Sequence, residues 1–325
     1  MKIEAKIFKH WLKVFLLSLL ALYIIRCFFI QPYTISSKEM ETSLFQGEKV
    51  FVNKMAYGMR MPMTVLTIPF TFDNILGLRS YSTALQLSYR RFFASAVSRN
   101  DIVLFNNPLE KEKPIDKRSL LLSRCVGIPG DTLSVSGAEF SINGKQYVAS
   151  PNLMMKYSYP IDSLKRLETS MTKMQIAKRD MTKDSLSVYL SLNRYESYLL
   201  SEDMQDTLSM VRDEFSNYQL VIPAQNVAIE LTPVNIPLYR GIIAEELGGD
   251  LVEKDGKLYS KGVEIRYYEF KENYYWFLSD NVSDAFDSRH IGFISEQHIE
   301  GKASFVWWSS GDEGIRWNRI FSKIY

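Results

Sequence analysis

The sequence predicts a mostly β fold that carries an inserted helical segment and follows one N-terminal transmembrane helix. Three observations predict it. Val14 to Ile30 reads VFLLSLLALYIIRCFFI and is apolar except for Ser18 and Arg26. Beyond Pro32, short β-branched and aromatic runs recur between Gly, Pro, Asn and Asp. The block from Ile161 to about Phe215 breaks that pattern: it lacks Gly and Pro and spaces Leu164, Leu167, Met171 and Met174 three and four apart.

Taken in order, Trp11 and Leu12 extend the first run to about the length of a bilayer core. Lys2, Lys6, Lys9 and Lys13 precede it, a basic flank expected to stay cytoplasmic and send the chain beyond Pro32 across the membrane. Arg26 can snorkel toward the outer interface. No small-x-small cleavage motif follows, so the run is expected to remain as an anchor, residues 1–31. Residues 32–325 are expected to form one extracytoplasmic domain. Its strands are read at Lys49–Asn53, Asp101–Phe105, Leu120–Val126 and Tyr274–Leu278, and Asn143-Gly144 and Asp255-Gly256 signal type I′ hairpins. The 161–215 block is expected to hold one or two amphipathic helices inserted into the β framework. After Tyr57-Gly58, the apolar residues Met59, Met61, Met63, Leu66, Ile68, Phe70 and Phe72 fit either core burial or a face resting on a membrane.

Composition removes several classes of function. A net charge of +2 gives no reason to invoke nucleic acid. His10, His290 and His298 form no ligand spacing with Cys or acidic residues, so no metal or other cofactor is expected. Cys27 falls in the apolar run and cannot easily meet Cys125 in a soluble domain.

Four segments carry a resemblance. The first is Thr34-Ile35-Ser36-Ser37-Lys38-Glu39-Met40-Glu41-Thr42-Ser43-Leu44, followed by Gly47-Glu48 and Val50 to Gly58. The second is Arg99-Asn100-Asp101-Ile102-Val103-Leu104-Phe105 with Pro108, and the third Ser123-Arg124-Cys125-Val126-Gly127-Ile128-Pro129-Gly130-Asp131. The last is Ser279-Asp280-Asn281 with Asp287-Ser288-Arg289-His290-Ile291-Gly292. In order, and behind an anchor, they resemble the serine-methionine box, the R-G-D-[IV]-V-x-F strand, the K-R-x-[IV]-G-x-P-G-D turn and the G-D-N…S-x-D-S-R-x-x-G box of bacterial type I signal peptidases. The boxes would form a core at 34–58, 99–131 and 274–325, with an inserted portion at about 132–273.

That resemblance implies a serine endopeptidase that removes signal peptides, using a serine nucleophile, a neutral lysine base and an oxyanion hole. Placed residue by residue, the nucleophile position before Met40 holds Glu39, the base position before Arg124 holds Ser123, and the lysine-orienting position holds Ala285. Ser37 matches the oxyanion-hole hydroxyl. On a strand, Ser37 and Glu39 would share a face. A carboxylate is a poor nucleophile toward an amide and repels an oxyanion, and a hydroxyl is too weak a base to replace an amine. Ser37 as nucleophile would require a two-residue slip while Met40, Leu44 and Gly47 keep their places. Lys38 would face away, Lys117 lies too far along the strand, and nothing supports a Glu39–Ser123 couple. By contrast Arg124, the Gly127–Asp131 turn with its Asp131, and the Asp287–Arg289 pair match structural residues of the family.

The expectation is therefore a non-catalytic relative in the signal-peptide-processing pathway. It would sit in the bacterial plasma membrane and engage exported preproteins or an active signal peptidase. The alternative is an active signal peptidase with an unrecognised catalytic pair.

Overall fold

The computed structural model describes residues 2–68, 71, 73–136, 139–147, 150–205, 209–210, 218–281, 285–311 and 314–324. Helix α1, Lys2–Phe28, contains the stretch Phe8–Phe28, which is long and apolar enough to cross a membrane and has none of its residues buried against the rest of the chain. β1 (Ile30–Thr34), β2 (Lys49–Asn53), β3 (Ile102–Asn106) and β4 (Leu120–Gly127) follow. The insertion contributes β5 (Met154–Pro160), α2 (Leu164–Lys173), β6 (Ser187–Asn193), α3 (Arg194–Met204) and α4 (Ile236–Glu246). β7 (Tyr274–Leu278), β8 (Ile294–Ser295) and β9 (Ile299–Trp308) return to the framework.

The framework is one antiparallel sheet in the order β1-β2-β9-β3-β4-β7-β8, with Ser322–Lys323 also pairing to β9. The late strand β9 is threaded between the two early strands β2 and β3, which is how segments 250 residues apart in the chain become neighbours. Both faces of the centre are covered. On β3, Ile102 and Leu104 join Val50, Val52, Leu122 and Val306, while Val103 and Phe105 join Tyr57, Phe277 and Ile294 on the other side. The period-2 alternation of side chains produces this split, and it explains why the strand reads as a continuous apolar run. Phe105 and Phe277 stack with ring centroids 4.9 Å apart.

Where β9 crosses the end of β2, Gly301 leaves room for the Asn53 backbone. A Cβ at Gly301 would lie 2.5 Å from the Asn53 carbonyl oxygen. The neighbouring Glu300 is buried and pairs with Arg60 and with Lys54, the latter at 2.9 Å. Burial raises the Glu300 carboxyl, but the charges of Arg60 and Lys54 outweigh it and hold the group at about 2.

The insertion has two cores of its own. A four-stranded sheet over Thr132–Ser136, Glu139–Ile142, Lys145–Gln146 and Tyr218–Val221 packs with α4 around Leu133, Leu220, Tyr239 and Phe270. Asn143-Gly144 turns one hairpin and Asp255-Gly256 another, with positive φ at all four residues, as type I′ turns need. The second core is Tyr159, Leu167, Met171, Val188, Leu190, Leu192, Leu200 and Met204. Two α-helices, α2 and α3, fall in the 161–215 block, but the described residues between them are not all helical: β6 pairs with β5 over seven residues. The alternation in Val188-Tyr189-Leu190-Ser191-Leu192 favours a half-buried strand over a helix. Leu167 and Met171 nonetheless form the buried face of α2. Residues 206–208 and 211–215 of that block lie outside the described residues.

Gly130 has φ +86, as its turn demands, but Gly127 has no positive φ; a Cβ there would collide with the Ile222 side chain, so its role is close packing. The apolar stretch after Gly58 divides: Met63 is buried, Met59 and Met61 are half-buried, and Leu66 and Ile68 are exposed. Phe70 and Phe72 lie outside the described residues. Nearby, Leu76, Leu78 and Phe93 are 75–98% exposed, so this side carries a broad apolar face.

Gly301→Ala is expected to destabilise the protein by about 3 kcal/mol, because the obstacle is backbone; thermal unfolding of the detergent-purified chain measures it. Glu300, with its carboxyl depressed, contributes stability that is present above about 4.5 and lost as pH falls toward about 2. The unfolding midpoint should therefore drop through that window, and Glu300→Gln should flatten the drop while costing about 3 kcal/mol at neutral pH.

Candidate active site

The first box is not strand at its functional end. β1 stops at Thr34, and Lys38 to Leu44 turn tightly, with Glu41 N–H donating to the Lys38 carbonyl and Leu44 N–H to the Met40 carbonyl. Ser37 and Glu39 therefore do not share a face through strand alternation, as expected from the sequence; the turn brings both to one cavity. Met40 is 2% exposed and packs with Leu44 and Leu122, which pins the turn to the framework. Thr42, within it, has φ +86, a strained value for a β-branched residue, and its hydroxyl donates to the Asn152 carbonyl.

The last box docks against this turn. Asn281 N–H donates to the Glu39 carbonyl at 2.8 Å, and its side-chain amide approaches the Lys38 carbonyl at 3.4 Å. Asp280 receives Arg124 in a two-pronged ion pair, Nε to Oδ1 at 2.7 Å and Nη2 to Oδ2 at 2.6 Å, with both side chains buried. The same Nη2 donates to Ser43 Oγ at 3.0 Å, and Ser43 in turn donates to Asp280. Arg124 Nη1 reaches the Asn100 carbonyl at 2.9 Å. Four sequence segments thus meet on one guanidinium.

One residue before each member of that pair, Ser123 and Ser279 face each other. Their Oγ atoms are 3.2 Å apart, and the two residues are 1% and 0% exposed. Two neutral hydroxyls, sealed from solvent, thus face each other here. Behind them, Asp287 Oδ2 accepts from Ser279 N–H at 2.9 Å, while both oxygens accept from Arg289, at 2.9 Å each from Nε and Nη2. Ala285 is half-buried and contributes only a methyl group; residues 282–284 lie outside the described residues. Asp131 closes the third box's turn, accepting from Arg99 at 2.6 Å, from Ile128 N–H at 2.9 Å and from Asn143 at 2.8 Å.

Ser37 and Glu39 line a cavity of about 140 Å³ with Tyr33, Ile35, Ser36, Met40 and Leu120 to Leu122. Ser123 is not part of its wall. Tyr33 donates to the Leu120 carbonyl at 3.1 Å. Burial raises the Tyr33 phenol, the Ser36 hydrogen bond opposes this, and the Glu39 charge adds to it. Lys38 is exposed, and Lys117 lines a different cavity. The arrangement offers an apolar slot with a carboxylate at its rim. Among the described residues, no three His, Cys, Asp or Glu side chains converge as metal ligands would.

Sequence reasoning gave Asp280 and Ser43 no role and read Ser279 only as a departure from the glycine that opens the family's last box. A signal for the first was present: in the register of β4 on β7, Arg124 sits opposite Leu278, so the acid just beyond β7 lies within its reach.

Comparison with known proteins agrees with this geometry. The family model for signal peptidase, peptidase S26, matches residues 8–205 and 225–308. A signal peptidase I of Buchnera aphidicola subsp. Baizongia pistaciae is 24% identical over 94% of this chain and 80% of its own length. Signal peptidase I of Aquifex aeolicus is 22% identical over 93% of this chain and 84% of its own. Signal peptidase I P of Bacillus subtilis subsp. natto is 24% identical over 42% of this chain and 51% of its own. A threaded antiparallel sheet, four boxes gathered on Arg124 and a match across most of the chain lead to one conclusion: this chain belongs to the signal peptidase family, peptidase S26.

Proposed function

We propose that this chain is a non-catalytic signal peptidase relative that binds the extended cleavage region of exported preproteins without cutting it. The observation that carries the reading is the buried Ser123–Ser279 hydroxyl pair at the base position. Activating a serine requires a group that accepts its proton at neutral pH, and a hydroxyl does not. Glu39 at the nucleophile position adds a fixed negative charge where an oxyanion would have to develop. Ser37, Arg124, Asp131, Asp287 and Arg289 are read as the retained frame, and Glu39, Ser123 and Ala285 as the three replaced catalytic positions.

Binding survives on this reading because the slot does not depend on those groups. Its walls, Ile35 to Met40 on one side and Leu120 to Leu122 on the other, can take an extended peptide as an added strand. The anchor α1 places the domain at the membrane, with the basic residues Lys2, Lys6, Lys9 and Lys13 on the cytoplasmic side of a bacterial plasma membrane. The exposed Leu66, Ile68, Leu76, Leu78 and Phe93 then rest on the bilayer surface. A nascent signal peptide would meet the slot at that depth.

Two measurements test this. Full-length protein in detergent should leave a preprotein uncut; cleavage at the signal site that disappears with Ser37→Ala would overturn the proposal. The combination Glu39→Ser, Ser123→Lys, Ala285→Ser and Ser279→Gly should generate cleavage, with Ser279→Gly required because that hydroxyl fills the space of a lysine side chain. Photocrosslinking from Leu121 in cells should recover preproteins; recovery of another signal peptidase alone would favour a pairing role instead.

A further inference from the structure

A second cavity, of about 130 Å³, lies where α1 meets the domain. Tyr23, Arg26 and Cys27 from the last turns of the helix form one wall, and Lys54, Arg60, Lys117, Asp116 and Glu300 supply the charges. Four cations thus face two carboxylates. Both carboxylates are already engaged. Asp116 accepts from Met63 N–H, from Thr64 N–H at 2.8 Å and from the Thr64 hydroxyl at 2.6 Å, and Glu300 is held by Arg60 and Lys54. Of the four cations, Arg60 and Lys117 keep donor capacity that the described residues do not receive. Arg60 is 6% exposed, and its Nε and Nη2 have no hydrogen-bond partner among the described residues. Lys117 is 8% exposed, and among the described residues its ammonium has neither a hydrogen bond nor an ion pair.

Burying such groups without partners costs several kcal/mol unless an anion completes them. Burial holds the Lys117 ammonium below the usual lysine value despite the pull of Asp116 and Glu300, so the present surroundings do not satisfy its charge. The volume admits a phosphate group. Position selects its source: the wall belongs to the end of the membrane helix, and Ile68, exposed on the apolar face, is part of the lining. That is headgroup depth. We propose that this cavity binds the phosphate of an anionic phospholipid headgroup, with Lys117 and the free edge of Arg60 as its donors.

The proposal rests on the reading of α1 as a membrane span. Full-length protein, delipidated in a neutral maltoside detergent, is titrated with dioctanoyl phosphatidylglycerol, dioctanoyl phosphatidylcholine or inorganic phosphate, and binding is read by native mass spectrometry and thermal shift. Phosphatidylglycerol should bind at least tenfold more tightly than either alternative. Lys117→Met should lower that affinity at least tenfold while leaving the lipid-free unfolding midpoint unchanged or higher, and Lys117→Arg should retain binding. If the methionine variant fails to fold, Lys117→Gln is read in the same way. Unaltered affinity in the apolar variant, equal binding of phosphatidylcholine, or inorganic phosphate matching the lipid would each overturn the proposal. Extraction of native membranes with alkaline carbonate separates the two readings: release of the protein overturns the span itself, whereas a retained protein without lipid preference overturns the cavity assignment alone.

Discussion

The site depends on the ion pair between Arg124 and Asp280. Desolvating both charges offsets much of what their attraction contributes, so the pair is poor evidence for stability by itself. Its value lies in specification. A planar guanidinium satisfied on Asp280, Ser43 and Asn100 fixes the relative positions of the first, second, third and last boxes, and alternatives that leave any of these groups buried and unpaired are penalised heavily. Through Asp280 the constraint passes to Asn281 and so to the Glu39 carbonyl, and through Ser279 to Asp287 and Arg289. None of these contacts uses the side chain of Glu39, Ser123 or Ala285.

Much of this was legible in the sequence. The strands Lys49–Asn53 and Tyr274–Leu278 were readable to the residue because β-branched and aromatic side chains were bounded by turn formers, and the hairpins at Asn143-Gly144 and Asp255-Gly256 because positive φ leaves few residue choices. Met40 and Arg124 are the landmarks beside Glu39 and Ser123; the structure sets Glu39 in the wall of a cavity and Ser123 against Ser279. What escaped was long-range or context-dependent. Strand β6 was hidden in a block whose composition suits helices, since pairing with β5 overrides local propensity. The threading of β9 between β2 and β3 is a topological fact that no local pattern encodes. Ser279 looked like a lone departure from glycine until its distance to Ser123 gave it a partner.

Charge placement follows a related logic at the crossing of β9 and β2. Glu300 on β9 is clamped by Lys54 and Arg60 from the segment after β2, so the crossing at Gly301 is fastened by ion pairs as well as by close packing. The same cluster lines the cavity beside α1. Structural cations that secure the framework therefore also set the potential in the cavity beside α1.

The Ser123–Ser279 contact has a consequence for the paths by which such a protein can change. A lysine placed at 123 alone would push an ammonium against the Ser279 hydroxyl in a sealed pocket whose nearest carboxylates, Asp280 and Asp287, are already engaged by Arg124 and Arg289. A glycine restored at 279 alone would leave a void beside Ser123. Positions 123 and 279 are therefore coupled: altering either residue alone leaves the other hydroxyl facing an unmatched neighbour, so the buried pair resists single substitution more than the walls of the slot do.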